Sequence, residues 1–345
     1  MTVVDGYRLH AWGEEPRWEA IEVRDPGPGE VLVEVEACGI GLTVLNCMNG
    51  DLDDSPELLP LTPGHEVVGR VADTGEGVVS PQVGDRVMAY FYLSCFRCRW
   101  CLSGNESRCD RRAGWYGVHR DGGYAPLTIM PAGNAVPLEG DLSATEATVI
   151  PDAVATSVHV CKRRLRLGTG DLVAVIGAAG GVGAHMIQVA AACGARVAGL
   201  ERTDEKLGLV SRLGAIPVDS SDLSAELDEF DGGADAIVDL VGTRQSLTWS
   251  IEHLRAGGRL VVLTTFRGRT FEVDPRTLVF HESSIVGSRY ASRSELIEAS
   301  ALVSSGRVEA VVGETVGPGE VGAVHGALRA GELLGRGALV WRGER

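Results

Sequence analysis

The sequence has little positive charge. Its 345 residues carry 32 Lys and Arg against 47 Asp and Glu, for a formal net charge of −15. An acidic protein repels the phosphates of nucleic acids and the anionic surface of membranes, so we expect neither as a partner. Hydrophobic residues at 44% and charged residues at 23% are typical of globular proteins and exclude a disordered chain. A folded enzyme or binding protein remains.

The sequence also lacks uninterrupted apolar runs and internal repeats, and we expect no secretory leader. The longest apolar stretch, residues 172–195, contains several glycines together with His185 and Gln188, which suits a membrane-spanning helix poorly. The first ten residues include Asp5 and Arg8 and have no apolar core of the kind found in signal peptides. We therefore expect a cytoplasmic protein whose 8 cysteines bind metal or stay reduced.

The length and the change of pattern along the chain predict two domains and a terminal segment. Residues 1–150 contain short alternating segments such as 31–36, separated by Gly and Pro, and so form a predicted β-rich domain. Residues 151–290 alternate apolar strand, turn and helix, which predicts a parallel sheet with helices on both faces. Residues 291–345 leave this pattern and end in an apolar run at 339–341. The predicted elements of the second domain are strands at 172–176, 196–200, 236–238 and 259–263 and a helix at 184–193.

A glycine-rich turn lies between the first of these strands and the helix. It reads Gly177-Ala178-Ala179-Gly180-Gly181-Val182-Gly183. Glycines let the backbone approach the pyrophosphate of a dinucleotide at a helix N-terminus. Glu201 ends the next strand, where a carboxylate can bind both adenosine ribose hydroxyls and repel a 2′-phosphate. Arg202 beside it could reverse that preference, so the pattern favours NAD over NADP, and the alternative is a glycine turn of any α/β fold.

Four cysteines form a second motif in the β-rich part. Cys95, Cys98, Cys101 and Cys109 follow the spacing C-x2-C-x2-C-x7-C. Four thiolates on a compact loop suit one tetrahedral zinc with no open position, which is a structural site. The alternatives are two disulfides or an iron–sulfur cluster.

Together these motifs resemble the zinc-dependent alcohol dehydrogenases of the medium-chain dehydrogenase/reductase superfamily. The resemblance covers nearly the whole chain and is carried by Ala37–Ile40, Gly64–Gly69, Gly84–Val87, the four cysteines, Asp121–Ala125 and Gly180–Gly183. It implies an α/β fold in which a GroES-like catalytic domain packs on a Rossmann domain with a doubly wound parallel sheet. It also implies a homodimer or homotetramer acting on a small-molecule substrate. Arg293 matches a family arginine that reaches the cofactor pyrophosphate, and the alternative is a surface arginine at a helix start.

The resemblance also implies a second, catalytic zinc, but one of its usual ligands is missing. The positions that match the ligand Cys, His and Cys or Asp are Gly41, His65 and Asp152. Zinc with His65, Glu66 and Asp152 would keep a neutral sum of charges, although the loss of a soft thiolate weakens zinc binding. The alternative is a site without metal, in which His65 hydrogen-bonds its loop, Glu66 pairs with an arginine and Asp152 caps a helix.

The proton relay of the family is altered in the same segment. Thr43 keeps the hydroxyl that receives the alcohol proton, whereas Val44 and Asn46 stand where the family has Asp and His. An amide does not titrate near neutral pH, so Asn46 cannot be the terminal base. Thr43 can still orient a substrate oxygen while water completes the relay, or it is only a residue at a helix start.

We consider three functions, of which the first is the one predicted here. It is an NAD(P)-dependent oxidoreductase that moves hydride between nicotinamide and a small alcohol or carbonyl compound, with an atypical catalytic zinc site that lacks the usual Cys at Gly41. The second is a zinc-independent ene reductase, because the β-carbon of an α,β-unsaturated carbonyl or thioester is already activated without a Lewis acid. The third is a non-catalytic cofactor-binding protein, which the residues Gly41, Val44 and Asn46 motivate.

Overall fold

The structure is a computed structural model that describes residues 1–221, 227, 230–264 and 268–341. The chain divides into two compact units. The first unit comprises Met1–Ala155, Ala291–Gly306 and Ala310–Arg345, and the second comprises Thr156–Tyr290 and Arg307–Glu309. The terminal segment therefore belongs mostly to the first unit.

The strands and helices of the described residues are numbered in chain order. The strands are β1 Thr2–Arg8, β2 Arg17–Val23, β3 Glu30–Ile40, β4 Glu66–Thr74, β5 Arg86–Ala89, β6 Leu127–Pro131, β7 Ala135–Pro137, β8 Leu172–Ile176, β9 Arg196–Glu201, β10 Ile216–Asp219, β11 Ala234–Asp239, β12 Leu254–Val262, β13 Ser284–Gly287, β14 Val312–Val316 and β15 Arg336–Val340. The α-helices are α1 Leu42–Met48, α2 Arg99–Leu102, α3 Ala144–Ala147, α4 Ala155–Val158, α5 Gly183–Ala192, α6 Asp204–Arg212, α7 Arg244–Glu252, α8 Pro275–His281, α9 Arg293–Ser304 and α10 Val321–Ala330. Short 3-10 turns lie at Pro56–Leu58, Glu106–Arg108 and Ala132–Asn134, and π-helical turns lie at Ile150–Val154 and His159–Leu165.

The first unit is built on a mixed sheet in the order β14-β15-β3-β4-β5-β7, with β6 paired to β3 and a separate β1–β2 hairpin. The strand predicted at 31–36 is confirmed as part of β3. Its side chains alternate between the interior and the surface, and Val31, Val33 and Val35 are buried in the core. This alternation is what a half-buried strand requires.

The register of three neighbouring strands assembles one corner of this sheet. β15 runs antiparallel to β3 with Gly337 opposite Ile40. Arg336 is the residue before Gly337 and begins β15, and Gly41 is the residue after Ile40 and follows β3. β4 is antiparallel to β3 on its other side and places Glu66 opposite Gly39. The terminal strand therefore brings Arg336 to the segment that contains Gly41 and Glu66.

The second unit contains a fully parallel sheet in the order β10-β9-β8-β11-β12-β13. The four strands and the helix predicted for this unit are confirmed, although β12 begins earlier than expected, at Leu254. Apolar side chains such as Ile176, Leu200, Ile237 and Leu260 form the buried core. Because the strands are parallel, the chain leaves each of them at the same edge of the sheet, where ligands bind in open α/β folds.

The predicted fold class, an α/β chain with a β-rich part and a doubly wound parallel sheet, is confirmed. No helix in the described part of the chain is long and apolar enough to cross a membrane.

Candidate functional site

The four predicted zinc ligands lie together in the first unit. Cys98 precedes α2, Cys101 lies within it, and Cys109 follows the turn Glu106–Arg108. The Sγ atom of Cys98 is 3.6 Å from that of Cys101 and 3.8 Å from that of Cys109, and Cys95 Sγ is 4.0 Å from Cys101 Sγ. Thiolates at about 2.3 Å from a tetrahedral zinc are about 3.8 Å apart, whereas a disulfide needs about 2.05 Å. The arrangement fits one zinc ion and no disulfide.

The surroundings of this cysteine cluster favour the thiolate form of Cys95. A hydrogen bond from the Arg97 backbone N–H lowers the pKa of the Cys95 thiol to about 6. Burial raises the pKa of the Cys101 thiol. Thiolate is the form that binds metal, and the lowered pKa of Cys95 favours that form.

A second group of metal-binding residue types lies in the same unit. His65 directly precedes β4, Glu66 is its first residue, and Asp152 lies in the π-helical turn at Ile150–Val154. His65 Nε2 is 3.5 Å from Glu66 Oε1 and 3.7 Å from Asp152 Oδ2. One ligand atom from each residue lies within 4.8 Å of the other two. The structure therefore brings together the three predicted side chains.

A guanidinium already occupies the middle of this group. Arg336 Nε donates to Glu66 Oε2 at 2.8 Å, and Nη2 donates to Glu66 Oε1 and to Asp152 Oδ2. Arg336 is only 3% exposed and Glu66 is fully buried. Burial by itself would raise the pKa of Asp152, but the Arg336 guanidinium and His65 hold that pKa well below its usual range. We refer to His65, Glu66, Asp152 and Arg336 as the ion-pair cluster.

The absence of a side chain at Gly41 explains why the guanidinium of Arg336 fits between Glu66 and Asp152. A Cβ atom on Gly41 would lie 2.2 Å from Cζ of Arg336 and 2.5 Å from each of its terminal nitrogens. The guanidinium thus fills the space that a cysteine side chain would use. Since both carboxylates are already paired with a cation and the thiolate is missing, the ion-pair cluster does not fit a zinc ion.

The two other cysteines of this region do not supply the missing ligand. The thiol of Cys38 donates to the carbonyl of Gly39 at 3.6 Å, and the thiol of Cys47 donates to that of Gly117 at 3.5 Å. Burial raises the pKa of the Cys47 thiol to about 12. Thr43 is half-buried in the first turn of α1 and does not cap that helix, whose N-cap is Gly41.

The glycine turn of the second unit joins β8 to α5. Gly177 has φ of +80°, a conformation that favours glycine, and a Cβ atom on Gly183 would lie 2.0 Å from the Gly177 carbonyl oxygen. At Gly180 a Cβ atom would meet only that oxygen, at 3.5 Å, so the outer side of the turn is open. His185 Nδ1 donates to the carbonyl of Gly181 at 2.7 Å. A tight turn with an open outer side at a helix N-terminus fits a dinucleotide pyrophosphate.

Glu201 ends β9 beside this turn. Its Oε1 accepts a hydrogen bond of 2.7 Å from the Ala179 backbone N–H, and its Oε2 is 4.0 Å from Lys206 Nζ. The carboxylate therefore holds the glycine turn as well as standing at the predicted ribose position. Arg202 next to it is exposed.

Two further polar residues have buried side-chain atoms, one in each unit. Arg293 is the first residue of α9 in the first unit, and its guanidinium lies 5.4 Å from the centre of the Phe96 ring. Its Nε is buried without a hydrogen-bond partner among the described residues. Asp239, which the sequence analysis missed, ends β11 in the second unit and accepts hydrogen bonds from the N–H groups of Val241 and Gly242.

The most important residue missed is Arg336. The alternative in which Glu66 pairs with an arginine is the arrangement observed, but that arginine lies 270 positions further along the chain. A weak signal was present, because Arg336 lies three residues before the apolar run at 339–341. A charged residue at the start of a buried strand needs a partner.

Comparisons with known proteins agree with the fold. Residues 27–140 match the family model described as an alcohol dehydrogenase GroES-like domain, and residues 181–305 match that of a zinc-binding dehydrogenase. An acryloyl-coenzyme A reductase of Metallosphaera sedula is 30% identical over 328 residues, which are 94% of this chain and 96% of that protein. An alcohol dehydrogenase of Geobacillus stearothermophilus is 34% identical over 316 residues, covering 90% and 92%.

Solved structures also superimpose on nearly the whole chain. The crystal structure of AibC superimposes with a TM-score of 0.90 at 28% identity and covers 99% of this chain and 96% of its own. A cobalt- and zinc-bound thermostable alcohol dehydrogenase from Pyrobaculum aerophilum superimposes with a TM-score of 0.90 at 27% identity, covering 99% and 100%.

Proposed function

The chain belongs to the zinc-type alcohol dehydrogenase family of medium-chain dehydrogenases/reductases and is an NAD(P)-dependent oxidoreductase, and we propose a substrate class for it. In this proposal the enzyme reduces the double bond of an α,β-unsaturated carbonyl compound. The family and enzyme class remove the alternative of a non-catalytic protein. The small-molecule substrate and a homodimer or homotetramer are part of the proposal and rest on the resemblance.

The observation that carries this proposal is the occupied position beside Gly41. Hydride transfer to a simple carbonyl, or from the corresponding alcohol, benefits from a strong Lewis acid on the substrate oxygen, as a zinc ion supplies. In the ion-pair cluster the carboxylates are already paired with Arg336, and a thiolate at position 41 is absent. A conjugated alkene is polarised by its own carbonyl group, so this arrangement suits it better than a saturated ketone. The relatives named acryloyl-coenzyme A reductase support the same substrate class.

In the proposed enzyme the glycine turn and its neighbours hold the cofactor. Reduced nicotinamide, when bound, supplies the hydride. Backbone N–H groups at the start of α5 would bind the pyrophosphate, with the turn residues Gly177, Gly180, Gly181, Val182 and Gly183 close to it. Glu201 would bind the adenosine ribose, Arg202 lies next to it, and Arg293 would reach a phosphate. The cysteine cluster would hold one structural zinc away from the reaction.

The test compares alkenes with saturated carbonyls of the same length. Purified protein would be given NADH or NADPH with an enal, an enone, an acryloyl thioester, and the corresponding saturated aldehyde and ketone. We expect kcat/KM to be at least about tenfold higher for an alkene, which corresponds to about 1.4 kcal/mol in the barrier. The product should be the saturated carbonyl. Formation of an alcohol with the alkene intact would contradict the proposal.

A second candidate is the interconversion of a small alcohol and its carbonyl compound. Thr43 favours this candidate, because it matches the family position whose hydroxyl receives the proton of the alcohol. The relatives named alcohol dehydrogenase support it as well. The same substrate panel, run with alcohols and oxidised cofactor, separates the two candidates.

The carboxylate of Glu201 leads to a prediction about the preference for NAD over NADP. We expect Glu201→Ala to lower the preference for NAD over NADP by about tenfold or more, since a carboxylate at this place repels the 2′-phosphate. Binding of both cofactors should also weaken, because Glu201 holds the Ala179 N–H of the turn. Glu205→Ala is the matched control, as it removes an exposed carboxylate from the start of the next helix. An unchanged NAD to NADP ratio in Glu201→Ala would contradict the assigned role.

A further inference from the structure

We propose that Arg336 is the electrophile of this enzyme and takes the place of the second metal ion of the family. In this proposal, which rests on the proposed function, Nη1 of Arg336 donates a hydrogen bond to the carbonyl oxygen of the substrate. The protein then holds one zinc per chain, in the cysteine cluster.

The hydrogen bonds of the guanidinium identify the atom involved. Nε and Nη2 are bound to the carboxylates of Glu66 and Asp152. Nη1 has no hydrogen-bond partner in the described ranges 1–221, 227, 230–264 and 268–341, and it is not sealed from solvent. The other two nitrogens fix the plane of the group, so the donor direction of Nη1 is set before a substrate arrives. A fixed donor of this kind stabilises a developing oxyanion without reorganisation.

Gly41 and Arg336 act as a pair in this proposal. The backbone at Gly41 is extended, with φ of −135° and ψ of 178°, which any residue can adopt. Glycine is therefore not required by the chain conformation. It is required by space, because a Cβ atom at this position would lie 2.5 Å from Nη1 and Nη2. The missing side chain is what allows the guanidinium to lie there.

The guanidinium between the carboxylates also excludes a metal ion. Two carboxylates and one guanidinium carry a formal charge of −1, and the guanidinium is hydrogen-bonded to both carboxylates. A divalent cation on His65, Glu66 and Asp152 would have to displace Arg336 and leave its charge buried and unpaired, which is strongly unfavourable. The guanidinium cannot be neutralised to avoid this, since arginine keeps its proton in proteins.

In the proposed step the substrate gains one hydride and one proton. The β-carbon gains the hydride that the reduced cofactor gives up, and the electron pair of the double bond moves toward the carbonyl to form an enolate. The enolate oxygen carries the new negative charge and accepts the hydrogen bond from Nη1. The α-carbon then takes a proton from water, which yields the saturated carbonyl and the oxidised cofactor.

Two variants test the role of the guanidinium, each with the best substrate of the wild-type protein. Gly41→Ala keeps every charge but pushes the guanidinium away, and Arg336→Ala removes it. We expect kcat to fall by about 100-fold in each while cofactor affinity changes little. Ethylguanidinium should restore part of the rate of Arg336→Ala. The control Gly322→Ala adds a methyl group to an open position of α10 and should leave kcat unchanged.

The metal content tests the same proposal without any substrate. Wild-type protein dialysed against zinc should contain one zinc per chain, and two would overturn the proposal. A Gly41→Ala protein that keeps the wild-type kcat would overturn it also, and this variant remains informative if Arg336→Ala fails to fold. A wild-type enzyme that reduces carbonyls instead of alkenes would contradict only the proposed substrate class, since the metal count and the loss in Gly41→Ala are measured independently of it.

Discussion

Gly183→Ala is expected to weaken cofactor binding by about 100-fold. The new methyl group would lie 2.0 Å from the carbonyl oxygen of Gly177 and 2.8 Å from Cα of Ala178. Both contacts are with backbone, so the turn itself has to move. Overpacking of this kind costs about 1–3 kcal/mol, and the upper end corresponds to about 150-fold in affinity. Fluorescence titration of the protein with NADH and NADPH measures the effect.

Gly208→Ala is the control for this substitution. Gly208 lies in α6 of the same unit, and a Cβ atom there would meet nothing within 4 Å. Alanine should leave cofactor affinity unchanged and stabilise the helix by up to about 1 kcal/mol. The zinc content of Gly183→Ala should remain that of the wild type, which separates a local change of the turn from general unfolding. Equal cofactor affinity in Gly183→Ala and wild type would disprove that the turn holds the pyrophosphate.

Cys101→Ser is expected to abolish zinc binding and to lower the unfolding free energy by about 4 kcal/mol or more. Loss of a structural metal is among the few single changes with effects of this size. Cys101 lies within α2, and its Sγ is 3.6 Å from that of Cys98 and 4.0 Å from that of Cys95, so its removal leaves three thiolates for the tetrahedron. Zinc analysis and thermal denaturation are the measurements.

The control for this variant is Cys193→Ser, which removes a half-buried thiol from the end of α5. It should keep the zinc and nearly all of the stability. A strong chelator should lower the melting temperature of the wild type toward that of Cys101→Ser and have no effect on the variant itself. Full zinc content in Cys101→Ser would contradict the assignment of this cluster.

Local motifs could be predicted from the sequence because their residues are close along the chain. The cysteine cluster spans a single loop, and the glycine turn lies between a strand and a helix whose apolar patterns are clear. In such cases spacing alone determines which side chains meet. The same holds for Glu201, which ends the strand after the turn.

The ion-pair cluster could not be predicted in this way. Its composition depends on the pairing of β15 with β3, and nothing local to Glu66 indicates which cation will compensate it. From the sequence, Gly41 is interpreted as the loss of a ligand. In the structure the same glycine makes room for a side chain from the other end of the sequence, which is a replacement and not only a loss.

The position of β15 has a consequence for the synthesis of the protein. This strand lies between β14 and β3, so the edge of β3 that it covers stays unpaired until residues 336–340 have left the ribosome. During that time Glu66 and Asp152 have no guanidinium between them. Until β15 is made, the first unit is therefore incomplete both in its sheet and in its charges, and β15 completes both at once.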